Sequence, residues 1–309
     1  MKNDHKSIKA LSFISSGVAC FALIFLDRLG ILDKLIKFGK VNKKQLSSSK
    51  DDLIIETSFL ELEINGIIKN EDTFYELTPL GIEVVHYSGL IHYIYNGYCN
   101  VLSNPKEKIK INHTSVIRGS NLLGEEFIDK VILKELSRLS ISGTICDLGC
   151  GDGRRLLKIC KSFKCNGLGF ELEYSSLKYT KGQVHKSVQI CEADITKLHG
   201  IWNDVGVLIQ VMVMHDFTSE NACRTTINSF MHHFPNIKFF LYCDIVAPSR
   251  SLRTQLPGFD YIHSLLGIKT RTYEETIKLF KKTKFQITKE IPIIKMPNTF
   301  LWVLTPKDI

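Results

Sequence analysis

Asp147-Leu148-Gly149-Cys150-Gly151-Asp152-Gly153 comes directly after the apolar run Thr144-Ile145-Cys146 and precedes the amphipathic segment from Arg154 to Phe163. The order is strand, turn with glycine at alternate positions, helix. Glycine permits positive φ and close backbone approach, so the turn offers bare peptide to a nucleotide-like ligand at a helix N-terminus. A phosphate-binding loop would present the helix dipole to an anion. Here two carboxylates, Asp147 and Asp152, flank the glycines, which suits a cationic or neutral ligand better than a pyrophosphate.

Downstream of the turn, strands and helices alternate as in a doubly wound sheet. Residues 166–170 read as a strand ending at Glu171, which lies 20 residues beyond Gly151, the place for an acid that hydrogen-bonds ribose hydroxyls. Residues 187–191 form the next strand and lead to Glu192-Ala193-Asp194. Residues 205–213 are a nearly continuous apolar run, interrupted by Gly206 and Gln210, as a buried parallel strand should be. Residues 238–245, 286–294 and 300–305 supply later strands.

The glycine turn resembles motif I of the class I methyltransferases, whose donor S-adenosylmethionine carries a sulfonium and an ammonium group. The resemblance extends over the strands and helices downstream and implies an α/β Rossmann-like fold in residues 111–309. It further implies that Asp147, Gly149, Gly151, Glu171, Asp194 and Gln210 hold the cofactor, with Asp194 at the adenine amino group.

Composition agrees with a globular chain of two domains. The 309 residues are 44% apolar and 23% charged, and the net charge of +8 is spread along the chain in Lys-rich loops such as 106–110 and 281–284. That pattern reads as a solvated basic surface rather than a nucleic-acid patch. Nine scattered cysteines with no CxxC pair argue against structural zinc or a disulfide framework and for a reducing cytoplasm. Lys2, Lys6 and Lys9 precede the apolar run 11–26, as in a signal peptide, yet helical spacing continues through Asp27 and Arg28 to Leu35. A buried first helix, with no membrane partner, is therefore expected.

The first 110 residues read as helices closed by a small hairpin. Residues 45–49 and 51–64 are consecutive helices, with Asp51 or Asp52 as cap, and 67–77 are strand, polar turn and strand before Thr78-Pro79-Leu80-Gly81 opens another helix. This winged-helix pattern resembles the N-terminal dimerisation domain of small-molecule O-methyltransferases and implies a homodimer. The helix that would enter a DNA groove carries Asp51, Asp52, Glu56, Glu61 and Glu63 and no Lys or Arg after Lys50, the wrong sign for phosphate. Between the domains, Arg118 is a candidate clamp for a substrate carboxylate.

Met214-His215-Asp216-Phe217 lies at the carboxyl end of the 205–213 strand, where doubly wound sheets place their ligands. Plant-type O-methyltransferases carry a His-Asp-Trp at this place, and the resemblance implies His215 as general base, oriented by Asp244. Gly267-Ile268-Lys269-Thr270-Arg271-Thr272 is similar to the Gly-Lys-Glu-Arg-Thr region of the same enzymes. Two departures matter. Thr270 replaces a glutamate that helps orient the histidine, and His263 replaces a methionine that faces the substrate. The pair His215 and His263, with Asp216, resembles the metal-dependent α-keto acid C-methyltransferases of natural-product pathways. That resemblance implies iron or another divalent transition metal held by His215, His263 and Asp216. The expected reaction is therefore metal-assisted C-methylation of an α-keto acid. A metal-free O-methyltransferase acting on a hydroxylated metabolite is the alternative, and a non-catalytic winged-helix regulator is a third.

Overall fold

The computed structural model describes residues 4–46, 52–98, 111–172, 186–217, 219–247 and 258–307. The chain divides into two compact units. One comprises residues 1–99 with 118–123, and the other comprises 100–117 with 124–309.

In the first unit, helix α1 (Asp4–Arg28) ends at Gly30, whose φ of 68° lets α2 (Ile31–Phe38) start in a new direction. Ala19, Leu23 and Leu26 of α1 pack with Leu35 of α2 and with Phe59 and Leu62 of α3 (Asp52–Ile64). The Phe59 ring stacks on Tyr75 at 3.9 Å. The first helix is buried along one face only, because Leu11, Phe13, Ile14, Val18 and Phe21 are exposed. By length and composition, residues 11–28 could cross a membrane, and this is the one such helix among the described residues.

The expected hairpin is present as β2 (Ile68–Asn70) and β3 (Phe74–Leu77), and β1 (Lys40–Asn42) pairs with β3 on its other side. Sequence reading missed β1, which is too short to show a period. Where a helix was expected at 45–49, the chain makes a 3-10 turn at Lys43–Gln45, and residues 47–51 lie outside those described. Thr78 caps α4 (Pro79–His86) by accepting the Gly81 N–H at 3.0 Å.

The second unit carries the site. Its sheet has seven strands in the order β6-β5-β4-β7-β8-β10-β9. β4 (Thr144–Leu148), β5 (Gly167–Glu171), β6 (Val188–Glu192), β7 (Val205–Val211) and β8 (Phe239–Ile245) are parallel, while β10 (Thr299–Pro306) runs antiparallel between β8 and β9 (Phe285–Pro292). β4 and β7 are buried at every residue, as central strands covered on both faces must be. Order reverses between β4 and β7, so the crevice lies beyond their carboxyl ends. The expected doubly wound α/β class is what the chain adopts.

Candidate active site

The glycine turn joins β4 to α5 (Arg154–Phe163). Gly149 has φ 80°, and a Cβ there would meet Val213 Cγ2 at 2.5 Å, so the turn presses against the residues just beyond β7. Gly151, at φ 57°, donates its N–H to Glu171 Oε2 at 2.7 Å. That bond ties the turn to the end of β5 and leaves the glutamate fixed at the crevice.

The two flanking carboxylates divide their tasks. Asp152 is consumed locally, accepting the Arg154 N–H at 3.2 Å and pairing with Arg154 Nε at 2.7 Å. Asp147 is fully buried and neither oxygen has a hydrogen-bond partner among the described residues. Burial raises its pKa; Arg155 opposes this, while Asp129 and Glu171 add to it, and the result is about 6. Gln210, equally buried, has both amide atoms without a partner among the described residues. Asp194 sits two residues past β6 and accepts the Thr196 N–H at 2.9 Å and its hydroxyl at 2.7 Å. Orphaned polar groups in a packed interior are costly unless a ligand completes them. The donor set fits the cationic S-adenosylmethionine.

The second cluster lies at the carboxyl ends of β7 and β8. A 3-10 turn, Met214–Asp216, carries His215 and Asp216, and α6 (Phe259–Leu265) carries His263. Asp244, on β8, accepts four donors. His215 Nδ1 lies 2.6 Å from its Oδ1, and the His215 N–H, the Tyr242 hydroxyl and the Ile245 N–H bind at 3.0, 2.9 and 2.9 Å. A carboxylate so satisfied assigns the His215 tautomer, with hydrogen on Nδ1 and a lone pair on Nε2. His263 Nδ1 lies 2.7 Å from the Phe259 carbonyl, which assigns the same tautomer there.

Both Nε2 atoms therefore face Asp216 Oδ1, each at 3.6 Å. His263 Nε2 is buried without a hydrogen-bond partner among the described residues. The three donor atoms lie within 4.8 Å of one another. Ligands of one ion at about 2.1 Å stand about 3.0–3.5 Å apart, close to the observed spacing. Three such atoms need a proton or a metal ion between them, and a cation held by all three meets that need.

Burial works to lower the His215 pKa, but Asp244 and Asp216 outweigh it, and without an ion the ring is pushed up to about 9, so it then holds on Nε2 the proton that a bound cation would displace. For Asp216, desolvation works upward; His215, His263 and Arg271 prevail and hold the carboxyl below its ordinary value. Thr270 is buried with its hydroxyl unpartnered among the described residues. Among the described residues, Asp244 is the carboxylate that binds His215 Nδ1.

No family model matches the chain. An indolepyruvate C-methyltransferase of Streptomyces griseus is 25% identical to it, over 99% of this chain and 98% of that protein. Among solved structures, human N-acetylserotonin methyltransferase in complex with S-adenosylmethionine is 14% identical, with TM-score 0.68 over 98% of each chain. The methyltransferase CalO1 of calicheamicin biosynthesis, in its S-adenosylhomocysteine-bound form, is 14% identical with TM-score 0.66, covering 99% of this chain and 100% of its own. These two structures speak to the fold, and the Streptomyces protein to the enzyme class. The chain has the fold of the class I S-adenosylmethionine-dependent methyltransferases and resembles a methyltransferase over its whole length.

The chain gathers His215, Asp216, His263 and Asp244 into one cluster, and Asp147, Gly149, Gly151 and Glu171 around one turn. Arg118 lies in the first unit, where its Nη2 donates to Asp27 Oδ1 at 2.8 Å. Sequence reading gave no role to three residues of the histidine cluster. Tyr242 shares a face of β8 with Asp244, two residues away, and Phe259 lies one helical turn before His263. Arg271 donates from Nη1 to the Phe217 carbonyl at 3.0 Å and from Nη2 to that of Met214.

The closeness of turn and histidine loop makes Gly149 sensitive. Gly149→Ala is expected to destabilise the fold by about 2–4 kcal/mol, combining strain at positive φ with the clash on Val213. Adding Val213→Ala should recover part of the loss, about 1 kcal/mol or more, in a urea-denaturation double-mutant cycle. Strictly additive losses would show that the two segments do not press on each other.

Proposed function

We propose that this methyltransferase transfers a methyl group to the carbon beside the keto group of an α-keto acid, with iron or another divalent transition metal held by His215, His263 and Asp216. The observation that carries the reading is the convergence of the two Nε2 atoms on Asp216 Oδ1, each at 3.6 Å, with His263 Nε2 buried and unpartnered among the described residues. The relative that acts as an indolepyruvate C-methyltransferase supports the same acceptor class.

Charge supports it further. With both imidazoles neutral, as metal ligands are, Asp216, Asp244 and Arg271 together leave one net negative charge. A divalent ion turns this into one positive charge, and a monoanionic acid neutralises it. Bound there, such an ion would supply Lewis acidity toward the acid's oxygens, easing release of the neighbouring C–H proton to water, and S-adenosylhomocysteine leaves as the new carbon–methyl bond forms.

The protein's residues do the rest. Asp244 keeps the His215 ring in one orientation. The Phe259 ring lies 4.1 Å from that of His263 and 5.0 Å from that of His215, covering both imidazoles with apolar surface. Asp147, Glu171 and the glycine turn hold the methyl donor, whose sulfonium makes its methyl carbon electrophilic. Positioning of donor and acceptor then carries most of the rate enhancement. The exposed apolar residues of α1, with Leu60 and Ile64 of α3, support a homodimer through the first unit, and a cytoplasmic location belongs to the same reading.

A panel of keto acids and phenols tests the proposal. A keto acid should gain one methyl on carbon, and chelator should slow the reaction by roughly a hundredfold or more until iron(II) is restored. Full activity in chelator with a methoxy product would overturn it. The His215–Asp244 pair favours that second reading, in which His215 Nε2 is the base for a hydroxyl without a metal.

A further inference from the structure

The turn that carries His215 and Asp216 is short and held in a demanding conformation. Met212, just upstream, has φ 57°, a left-handed backbone that a non-glycine side chain keeps only when its surroundings enforce it. Within the turn, the Asp216 N–H reaches the Val213 carbonyl at 3.2 Å and the Phe217 N–H reaches that of Met214 at 3.2 Å. Both are long bonds. Something else has to hold the two donor side chains to the accuracy a ligand set needs.

Arg271 is placed to do this. Its guanidinium forks across the turn, with Nη1 on the Phe217 carbonyl and Nη2 on the Met214 carbonyl. It also hydrogen-bonds Tyr242, whose hydroxyl donates to Asp244 Oδ2 at 2.9 Å. Asp244 Oδ1 in turn faces His215 Nδ1 at 2.6 Å. The backbone of Arg271 is itself anchored, because its carbonyl accepts the Ala247 N–H at 2.8 Å just beyond β8. A single cation thus joins the backbone of the turn, the brace of the orienting carboxylate and the end of the strand that bears it.

We infer that Arg271 is the positioning residue of the donor triad, fixing both the backbone and the ring orientation of His215 through Met214, Phe217 and the Tyr242–Asp244 chain. This role rests on the metal reading above and adds to it an outer layer that touches neither metal nor substrate. A guanidinium has no lone pair to offer a cation. Its planar fork is what lets one side chain satisfy two carbonyls and a phenol, and a lysine ammonium, a compact charge on a flexible stem, cannot hold that geometry.

The test uses the full-length protein, with cobalt(II) alone as the metal probe and S-adenosylhomocysteine as the control ligand. Arg271→Lys should weaken cobalt affinity by about tenfold to a hundredfold and alter its visible absorption, while S-adenosylhomocysteine affinity stays within about twofold. Wild-type cobalt affinity and spectrum in the variant would overturn the inference, and so would a parallel loss of S-adenosylhomocysteine affinity, which marks a general collapse. Should Arg271→Lys not fold, Tyr242→Phe removes only the hydroxyl that joins Arg271 to Asp244. It should weaken cobalt severalfold, and unchanged affinity would count against the chain.

A wild-type protein that takes up no cobalt fails the metal reading itself. The positioning role is then read from the His215 Nδ1–H resonance, protected from solvent exchange by Asp244. Loss of that protection in Arg271→Lys or Tyr242→Phe supports the role, and retention in both overturns it.

Discussion

His263→Met is expected to abolish metal uptake, and C-methylation with it, while the affinity for S-adenosylhomocysteine stays at the wild-type level. His263 is 1% exposed, and its Nδ1 is already spent on the Phe259 carbonyl, so Nε2 is the one atom it can offer a ligand. Methionine fills similar volume without that donor. The loss of a charge-neutral hydrogen bond is offset by removing an orphaned buried nitrogen, and stability should change by no more than about 1–2 kcal/mol. Removing one of the three proposed ligands should lower the rate by roughly two to three orders of magnitude or more. Metal analysis, calorimetry with S-adenosylhomocysteine and product formation, made on one preparation, separate the possibilities. A fully active variant would mean that the imidazole only packs against Phe259, and that the chemistry is done by His215 alone.

How much of this was legible before the fold was known depends on the range of each signal. The glycine turn and the buried strands announce themselves locally, through glycine spacing and apolar runs, and each strand of the seven-stranded sheet appears within one or two residues of its expected bounds. The Gly30 break in the long apolar stretch was available but was read as continuous spacing. Pairing of His215 with His263 was not available from spacing at all, because 48 residues separate them, and the resemblance supplied it. Arg118 shows the opposite case. An isolated guanidinium in sequence reads as a clamp, yet buried Asp27, 91 residues away, takes it. Asp152 likewise read as ligand-facing and serves its own helix instead. Arg271 and Tyr242 became meaningful only once β8, the turn and the segment near Thr272 were seen together, since their partners are backbone carbonyls and a phenol that no side-chain pattern marks.

The second large effect concerns Asp147, where stability and cofactor binding should move in opposite directions. Its folded-state pKa of about 6 stands above the ordinary 3.8. Between those values the folded chain holds a proton that the unfolded chain has released, so stability is complete below the unfolded value and is lost as pH rises through about 6. The gap of about two units corresponds to about 3 kcal/mol by linkage. Asp147→Asn removes that titration. The variant should gain stability relative to wild type as pH rises from about 4 to about 8, in urea denaturation without ligand, with the pH-dependent part approaching about 3 kcal/mol. Its affinity for S-adenosylmethionine should fall about tenfold or more, because a neutral amide no longer attracts the donor's positive charges. A stabilised variant that binds the donor as well as wild type would place Asp147 outside the binding set. Loss of both properties would mean that the carboxylate is needed by the fold. The expected split, a more stable and weaker-binding protein, is the signature of a buried unpartnered charge kept for the ligand that completes it.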